Sequence, residues 1–279
     1  MKSFLAVVLI FGLLSLNAHS QAQAHFKKVV YIVFENEDFV PVSKQRDFAK
    51  YSALGASFSL MMGETHPSQG NYIAMVAGST LGVMTDKNYN LNQTHLGDLL
   101  EAKGMDWKVY AEGYPGNCYT GEVSGNYARK HLPFLSFLNV TTNPERCGKI
   151  TDAATFIEDF KNDKLPEFSM FIPDLINDGH DSTVDYAGKW LTRTLGPILS
   201  EPDKMKDVLF VLTFDESDPK SRPNQIYTVF LGANVVKASV ISQKVNHISI
   251  LKMIEDEFGL GSMGRLDSTA APIENIWNN

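Results

Sequence analysis

The sequence predicts an α/β fold, in which a mostly parallel central sheet is covered by helices on both faces. Short apolar runs such as residues 29–34 and Val208–Phe214 have no polar alternation, which is typical of strands buried on both faces. These runs alternate with stretches of helical spacing about 10–17 residues long. The sequence shows no internal repeat or low-complexity linker, so a single domain over residues 25–279 is expected.

The first 24 residues are set apart by their composition. They carry one charge, Lys2, then an apolar run and a polar segment that ends in Ala22-Gln23-Ala24. This order is typical of a secretory signal peptide, and the run is shorter than the roughly 20 apolar residues that a membrane span needs. We therefore predict a signal peptide over residues 1–24, a mature chain that starts at His25, and a secreted or periplasmic protein without stable membrane insertion.

The overall charge limits the classes of partner. Of the 279 residues, 25 are Lys or Arg and 32 are Asp or Glu, which gives a formal net charge of −7. An acidic surface disfavours binding to a nucleic-acid polymer, although it is compatible with a local site for one phosphate. A small ligand is therefore the expected partner, and the sequence carries no indication of an oligomeric state.

The first half of the chain contains three predicted strands and three predicted helices. The run VVYIVF at residues 29–34 predicts a buried strand, residues 43–54 a helix, and residues 57–61 a second strand. Residues 71–77 are typical of the start of a helix. A helix is expected over residues 94–103, because Thr94 is a favourable N-cap and Gly104 follows the last leucine. The strand Trp107–Ala111 comes next.

Residues 112–150 interrupt this alternation. Glycines, prolines and aromatic residues occur there without a period, together with the only two cysteines, Cys118 and Cys147. Such a stretch is typical of a long loop or insertion near a binding site. In an exported chain, two cysteines are most simply one disulfide. We therefore predict that Cys118 and Cys147 are paired and hold this insertion together.

The alternation resumes after residue 150. A helix is predicted over residues 152–161, followed by the strand Phe168–Ile172 and a helix over residues 183–199. Val208–Phe214 and residues 226–231 are predicted strands. A final helix over residues 248–258 is expected to end at Gly259.

Polar clusters follow three of the predicted strands. Glu35-Asn36-Glu37-Asp38 follows the first, Asp174 and then residues 177–181 follow Phe168–Ile172, and Asp215-Glu216-Ser217-Asp218 follows Val208–Phe214. Ligands of parallel sheets bind beyond the carboxyl ends of the strands. One acidic strand end is usually a solvated loop, but three at one sheet edge indicate a functional site.

Converging carboxylates repel one another unless a cation offsets their charge. Glu35, Asn36, Asp215 and Glu216 offer mainly oxygen ligands, with Asp174 as a further candidate. His180 or His247 would add nitrogen. We therefore predict a divalent metal ion, with zinc, manganese, magnesium, calcium and iron all left open.

The segment Glu64-Thr-His-Pro-Ser-Gln-Gly-Asn-Tyr72 leads from the second strand into a helix. A hydroxyl at a helix N-terminus lies near free N–H groups, which stabilise a phosphate or an oxyanion. Ser68 is thus a candidate nucleophile, which a metal would activate. Alternatively, Ser68 is only an N-cap. His66 is a candidate for phosphate contact, or a residue of the loop without function.

Five ordered motifs carry a resemblance to a known family. KKVVYIVFEN, THPSQGNYIAMVAGS, PDLINDGHD, VLFVLTFDES and NHISILKMIEDEFGL resemble the phosphoesterase family of bacterial acid phosphatases and phospholipases C, in the alkaline-phosphatase superfamily. The resemblance extends over nearly the whole mature chain. It implies a three-layer α/β/α sandwich and metal-assisted hydrolysis of phosphate esters through a phosphoserine intermediate.

The resemblance also implies roles for particular residues. Ser68 corresponds to the nucleophile, and Asn71 to an asparagine that contacts a phosphoryl oxygen. The metal-binding pairs of the family correspond to Glu35-Asn36 and Asp215-Glu216, and His247 to a metal-binding histidine. The positions near the phosphate or the leaving group correspond to Lys130, His131, Asp178 and His180.

Two departures and two alternatives accompany this hypothesis. The motif Ser-x-Pro-Asn is Ser68-Gln-Gly-Asn71 here, and Tyr72 stands where sulfatases need an arginine, which disfavours a sulfatase. The favoured function is an acid-phosphatase-type phosphomonoesterase. A phospholipase C or phosphodiesterase is the alternative within the enzymes, and a secreted protein that binds phosphate ligands without turnover is the alternative of another class.

Overall fold

A sheet of eight strands lies at the centre of the protein, whose computed structural model describes residues 24–232 and 234–278. The predicted signal peptide lies outside the described residues except for Ala24. With four short strands outside the main sheet, the strands are β1 (Lys28–Phe34), β2 (Ala56–Phe58), β3 (Met61–Met62), β4 (Trp107–Ala111), β5 (Val123–Ser124), β6 (Tyr127–Ala128), β7 (Ile150–Asp152), β8 (Phe168–Ile172), β9 (Val208–Phe214), β10 (Thr228–Gly232), β11 (Ser239–Ile241) and β12 (Val245–Asn246). The helices are α1 (Phe39–Lys44), α2 (Arg46–Leu54), α3 (Gln69–Ala77), α4 (Leu96–Ala102), α5 (Leu138–Thr141), α6 (Pro144–Cys147), α7 (Phe156–Lys161), α8 (Val184–Thr194), α9 (Pro202–Met205) and α10 (His247–Glu257).

The main sheet has the strand order β11-β2-β10-β9-β1-β8-β4-β7. Its neighbouring strands are parallel except for the two pairs that involve β10. All residues of β8 and β9 are buried, as are all of β1 except Lys28. Because successive side chains of a strand point to opposite faces, both faces of the sheet are covered. The prediction of a mostly parallel, two-sided sheet is confirmed.

The helices pack in pairs against the sheet. α2 contacts α8 and the strands β2 and β10, and α10 contacts α3. The longest helices, α8 and α10, have 11 residues each. Within the two described ranges, no helix combines the length and the apolar character needed to cross a membrane.

Three predicted strands, β4, β8 and β9, have the predicted bounds. The single strand predicted at residues 57–61 is wrong, because the chain there forms β2 in the main sheet and β3, which pairs with β12. The helix predicted at residues 43–54 is divided, because residues 43–44 end α1 and residues 46–54 form α2. Gln45 between them is extended, and its side chain accepts from the backbone N–H of Asp47 at 2.7 Å and of Phe48 at 3.0 Å.

The start of α4 corrects another boundary. Its N-cap is His95 rather than Thr94: Nδ1 of His95 accepts from the N–H of Gly97 at 3.1 Å, and Asp98 accepts from the N–H of His95 at 2.9 Å. A buried imidazole thus performs the capping that the sequence pattern assigned to the hydroxyl one position earlier.

Other helix and strand ends differ from the predicted ones to different degrees. The predicted helix at residues 183–199 ends at Thr194 and is followed by the 3-10 turn Ile198–Ser200. The one predicted at residues 152–161 begins with the 3-10 turn Ala153–Thr155 before α7. The edge strands β7 and β11 have three residues each, too few for a recognisable period. The ends of β10, α3 and α10 differ from prediction by one or two residues.

The segment 112–150 contains short strands and helices rather than one long loop. The predicted disulfide between Cys118 and Cys147 is present, with the Cα atoms 5.2 Å apart. Arg129 is buried in this segment and donates to the carbonyl oxygens of Thr120 at 2.8 Å and Leu135 at 2.7 Å. These bonds fix the chain next to Lys130 and His131, which reach the candidate site.

A buried pair of acids joins α10 to the C-terminal part of the chain. Glu255 on α10 lies against Asp267, and both side chains are buried. Asp267 accepts from the N–H of Arg265 at 2.7 Å, whereas Oε1 of Glu255 is buried without a hydrogen-bond partner. Burial first, and then the charge of Asp267, raise the pKa of Glu255 to about 8.

This pair predicts a loss of stability as the pH rises from about 4.5 to about 8. Since the pKa of Glu255 is raised in the folded state, its favourable contribution is complete below about pH 4.5 and is lost as pH rises towards about 8. We expect the free energy of unfolding to fall by about 1–2 kcal/mol over this range. Urea unfolding of the Glu255→Gln variant should show a flatter pH dependence, and a variant of the exposed Glu274, Glu274→Gln, should not. Equal slopes in all three proteins would contradict the prediction.

Candidate active site

Three neighbouring strands bring the predicted acidic clusters to one sheet edge. β1 lies between β8 and β9 and is parallel to both, so the three strands end at the same edge. Glu35 and Asn36 follow β1, and Asp215 and Glu216 follow β9. The N–H of Asn36 donates to Oδ1 of Asp215 at 3.2 Å. The predicted convergence of these four residues is therefore observed.

Ser68 lies in the middle of this group, directly before α3. Its Oγ is 3.0 Å from Oε2 of Glu35, 3.0 Å from Oε1 of Glu216 and 3.2 Å from Oδ1 of Asn36. Although Ser68 occupies the N-cap position, its side chain makes no capping hydrogen bond. The interpretation as a simple N-cap is therefore wrong, because the hydroxyl points to the carboxylates instead.

The side chain of Asn71 is directed to the loop before Ser68 and not to an open phosphate position. Its Oδ1 accepts from the N–H groups of Glu64 at 2.7 Å and Thr65 at 3.0 Å, and its Nδ2 donates to the carbonyl of Thr65 at 2.9 Å. Glu64 in turn accepts from the N–H of Ile248 at the start of α10 at 3.3 Å. Asn71 thus shapes the loop that carries Ser68, and its contact with a phosphoryl oxygen stays a prediction.

A buried histidine connects Glu35 to Asp178. Nε2 of His131 is 3.0 Å from Oε1 of Glu35, and Nδ1 is 3.5 Å from Oδ2 of Asp178. Burial disfavours a charged imidazole, but the two carboxylates outweigh it and raise the pKa of His131. Burial likewise disfavours charge on Glu35, yet His131 lowers the pKa of Glu35 below its usual range. The two side chains therefore form a charged pair at neutral pH.

Three partly exposed residues surround this buried group. Nζ of Lys130 is 3.3 Å from Nε2 of His180 and 3.3 Å from Oδ2 of Asp86. Nδ1 of His180 is 2.6 Å from Oδ1 of Asp181. His66 makes a short contact through Nδ1 to Oε2 of Glu216. His66 thus contacts one of the two carboxylates that face Ser68, and Lys130 and His180 lie beside His131, whose ring centroid is 6.0 Å from that of His180.

Two candidate metal ligands do not join this group. Both ring nitrogens of His247 are used in the core, Nε2 at 2.7 Å from the carbonyl oxygen of Asp215 and Nδ1 at 3.1 Å from the hydroxyl of Tyr31. Burial lowers the pKa of His247 to about 4, so the ring is neutral. Asp174 accepts through Oδ1 from the N–H groups of Ile176 at 3.0 Å and Asn177 at 2.9 Å. It stabilises its own turn.

The remaining residues fit a cation. Ser68 Oγ is surrounded by three acceptor oxygens although a hydroxyl has one proton, and Oδ2 of Asp215 is buried without a partner. Burial and the neighbouring carboxylates raise the pKa of both Asp215 and Glu216. Rotating the Asn36 amide would let its nitrogen donate to Oε1 of Glu216 at 2.9 Å. This hydrogen bond would supply one of the donors that the buried oxygens lack. Oxygen ligands of this kind suit hard divalent cations.

In the described part of the chain, no three His, Cys, Asp or Glu side chains already have the spacing of a metal site.

Two residues at the site were missed by the sequence analysis. The buried ring of Tyr72 stacks on His131 with centroids 5.1 Å apart. Asp86 accepts from the N–H of Gln69 at 3.1 Å and also contacts Lys130. Tyr72 follows Asn71 in the nucleophile motif, so its position was a usable signal. Asp86 lies in an irregular loop, where no motif or period indicated its role.

The chain resembles proteins of known class over most of its length. The model of the Phosphoesterase family matches residues 42–261. The chain is 33% identical to the phosphate-repressible acid phosphatase of Penicillium chrysogenum over 255 residues, which are 88% of this chain and 62% of that protein. It is 33% identical to the phosphatidylinositol-3-phosphatase of Mycobacterium tuberculosis over 260 residues, 91% of this chain and 84% of that protein. The chain thus spans less than two thirds of the length of the fungal relative.

A solved structure shows the same fold. A Vibrio parahaemolyticus protein in the alkaline phosphatase superfamily superimposes with a TM-score of 0.59 at 14% identity, over 91% of this chain and 72% of that one. The predicted alkaline-phosphatase-like α/β/α sandwich is confirmed.

Proposed function

The chain belongs to the phosphoesterase family, and from this premise we propose that it is an exported, metal-dependent phosphoric-ester hydrolase, in the simplest form a phosphomonoesterase of acid-phosphatase type. One observation carries the proposal: Ser68 Oγ lies 3.0 Å from each of two buried carboxylates at the carboxyl edge of the sheet. A serine placed in this way has acceptors for its proton and lies next to the first N–H groups of α3.

The proposed reaction has two steps. Ser68 Oγ attacks phosphorus while its proton passes to Oε1 of Glu216, and the bond from phosphorus to the ester oxygen breaks. The departing alkoxide takes a proton from the Lys130–His180 pair, in which Nζ of Lys130 donates to Nε2 of His180 and Nδ1 of His180 faces Asp181. Water then attacks the phosphoserine and releases inorganic phosphate, and Oγ recovers a proton.

The charged pair of His131 and Glu35 fixes the geometry around Ser68. His131 is held between Glu35 and Asp178 and stacked on Tyr72, so Glu35 keeps its position against the serine. A divalent ion bound by Glu35, Asn36, Asp215 and Glu216 would supply positive charge. This charge would lower the pKa of the Ser68 hydroxyl and offset the negative charge of the phosphoryl group. Lys130 adds a second positive charge near the opening of the site.

The proposed location follows from the sequence. We propose that residues 1–24 are removed as a signal peptide and that residues 25–279 form the exported phosphoesterase domain. The disulfide between Cys118 and Cys147 supports this location, because such bonds persist in oxidising compartments.

The depth of the site favours a monoester over a diester. Ser68 is 1% exposed, and the segment 112–150 contributes His131, which contacts the same Glu35 that faces Ser68. A second ester substituent would have to fit into this space. We expect kcat/KM to be at least about 10-fold higher on p-nitrophenyl phosphate than on bis-p-nitrophenyl phosphate. Equal or faster cleavage of the diester would favour a phosphodiesterase or phospholipase C, and binding without turnover of either would favour a ligand-binding protein.

A further inference from the structure

The residue expected to start the mature chain has a binding place of its own. The backbone nitrogen of His25 donates to Oε2 of Glu257 at 2.8 Å, and its ring Nδ1 lies 2.8 Å from Oε1 of the same carboxylate. The ring stacks on Trp277 with centroids 4.6 Å apart and 7° between the planes. The carbonyl oxygen accepts from Nδ2 of Asn234 at 3.2 Å. The backbone nitrogen, the ring Nδ1 and the carbonyl oxygen of His25 thus face α10 or the segments beside it.

Glu257 is placed where a cation is needed. It is the last residue of α10, and the free carbonyl groups there give the helix end a partial negative charge. A carboxylate at this end is unfavourable unless a positive group lies beside it. Lys252 on the same helix pairs with Asp256 at 2.8 Å instead. Among the described residues, the hydrogen bonds to the Glu257 carboxylate come from His25.

We propose that the chain is cleaved between Ala24 and His25 and that the new α-ammonium group forms an ion pair with Glu257, which locks the N-terminus onto α10. Hydrolysis adds the elements of water across the peptide bond, so Ala24 gains the hydroxyl and the nitrogen of His25 becomes a primary amine. That amine takes up a proton at neutral pH, since α-amino groups have a pKa of about 8. One neutral donor is thereby replaced by a charged group with three N–H bonds at an atom that already lies 2.8 Å from Oε2.

The next residue fixes the position of this terminus. Phe26 is buried and its ring packs against Phe258 at 5.4 Å and Trp277 at 5.8 Å between centroids. Because Phe26 is anchored, cleavage one bond earlier or later would place the amine away from the carboxylate. The small-residue motif Ala22-Gln23-Ala24 predicts cleavage at the same bond. The inference rests on the proposed export and not on the proposed catalysis.

The test compares the purified chain that starts at His25 with the same chain extended by Gly-Ser at the N-terminus. Each is made with Glu257 and as the Glu257→Gln variant. We expect the extension to lower the Tm by about 2–4 °C when Glu257 is present, and by less than about 1 °C in the variant. Asp256→Asn is the matched control, because it removes a charge at the same helix end without touching His25. It should keep the full effect of the extension.

Two results would overturn the proposal. One is an extension that changes the Tm equally with and without Glu257, which would mean that the amine makes no specific pair with it. The other is an exported protein whose N-terminus, determined by mass spectrometry, is a residue other than His25. Neither result depends on phosphatase activity, so this proposal and the proposed catalysis fail separately.

Discussion

Ser68→Ala is expected to lower kcat on p-nitrophenyl phosphate by about 10⁴-fold or more, because it removes the nucleophile and no other hydroxyl replaces it between Glu35 and Glu216. The variant should fold, because Ser68 makes no capping bond and alanine leaves the loop held by Asn71 in place. Substrate binding should persist, since Lys130 and the N-terminus of α3 remain. Steady-state kinetics together with Tm will separate loss of chemistry from loss of structure.

Ser169→Ala is the matched control for that experiment. Ser169 is a fully buried serine on β8 whose hydroxyl has no hydrogen-bond partner, and it lies within the strand rather than at its end. Its removal should leave kcat within about 2-fold of the unmodified protein. A Ser68→Ala protein that folds and retains full turnover would contradict the nucleophile assignment and leave water or another group as the attacking species.

Removal of divalent ions is expected to abolish activity, with recovery when a suitable ion is added back. The physical reason is that Glu35, Asp215 and Glu216 are buried together next to Asn36 and Ser68. Their acceptor oxygens outnumber the hydrogen-bond donors around them, so a cation is needed. A bound ion should also raise the Tm, because a ligand at about 100 times its Kd stabilises the folded state by about 2.7 kcal/mol. For a chain of this size, that corresponds to roughly 5–10 °C.

The stability readout distinguishes the metal from general salt effects. Glu216→Gln should reduce the rise in Tm on addition of zinc, manganese, magnesium or calcium, tested one at a time after chelation. Asp203→Asn, which removes an exposed carboxylate on α9, should not. An equal rise in both variants, or activity that survives exhaustive chelation with no ion found by elemental analysis, would exclude the proposed metal role.

The strand ends of the site could be predicted from the sequence because they depend on local pattern and on a topological rule. Residues 29–34 and Val208–Phe214 are continuous apolar runs, and residues that follow parallel strands meet at one edge. This was enough to bring Glu35, Asn36, Asp215 and Glu216 together. The position of Ser68 followed in the same way from its place before a helix.

The direction of individual side chains could not be predicted, because it is decided by tertiary packing. Asn71 is one turn along α3 from Ser68, yet its amide bonds back to Glu64 and Thr65. His247 begins α10 near the site, but its ring nitrogens are taken by the carbonyl of Asp215 and the hydroxyl of Tyr31. The partners of Asn71 are near in sequence, but no motif showed that its amide turns back to them. The partners of His247 lie far away along the chain, where the sequence carried no signal.

The buried Arg129 determines which residues of the segment 112–150 can be substituted without moving Lys130 and His131. Its guanidinium holds the segment by the main-chain oxygens of Tyr89, Thr120 and Leu135, which are present whatever side chains those positions carry. The neighbouring positions are therefore free to vary while Lys130 and His131 keep their place. Libraries of new substrate preferences are best built on residues 120–126, with Cys118 and Arg129 left unchanged.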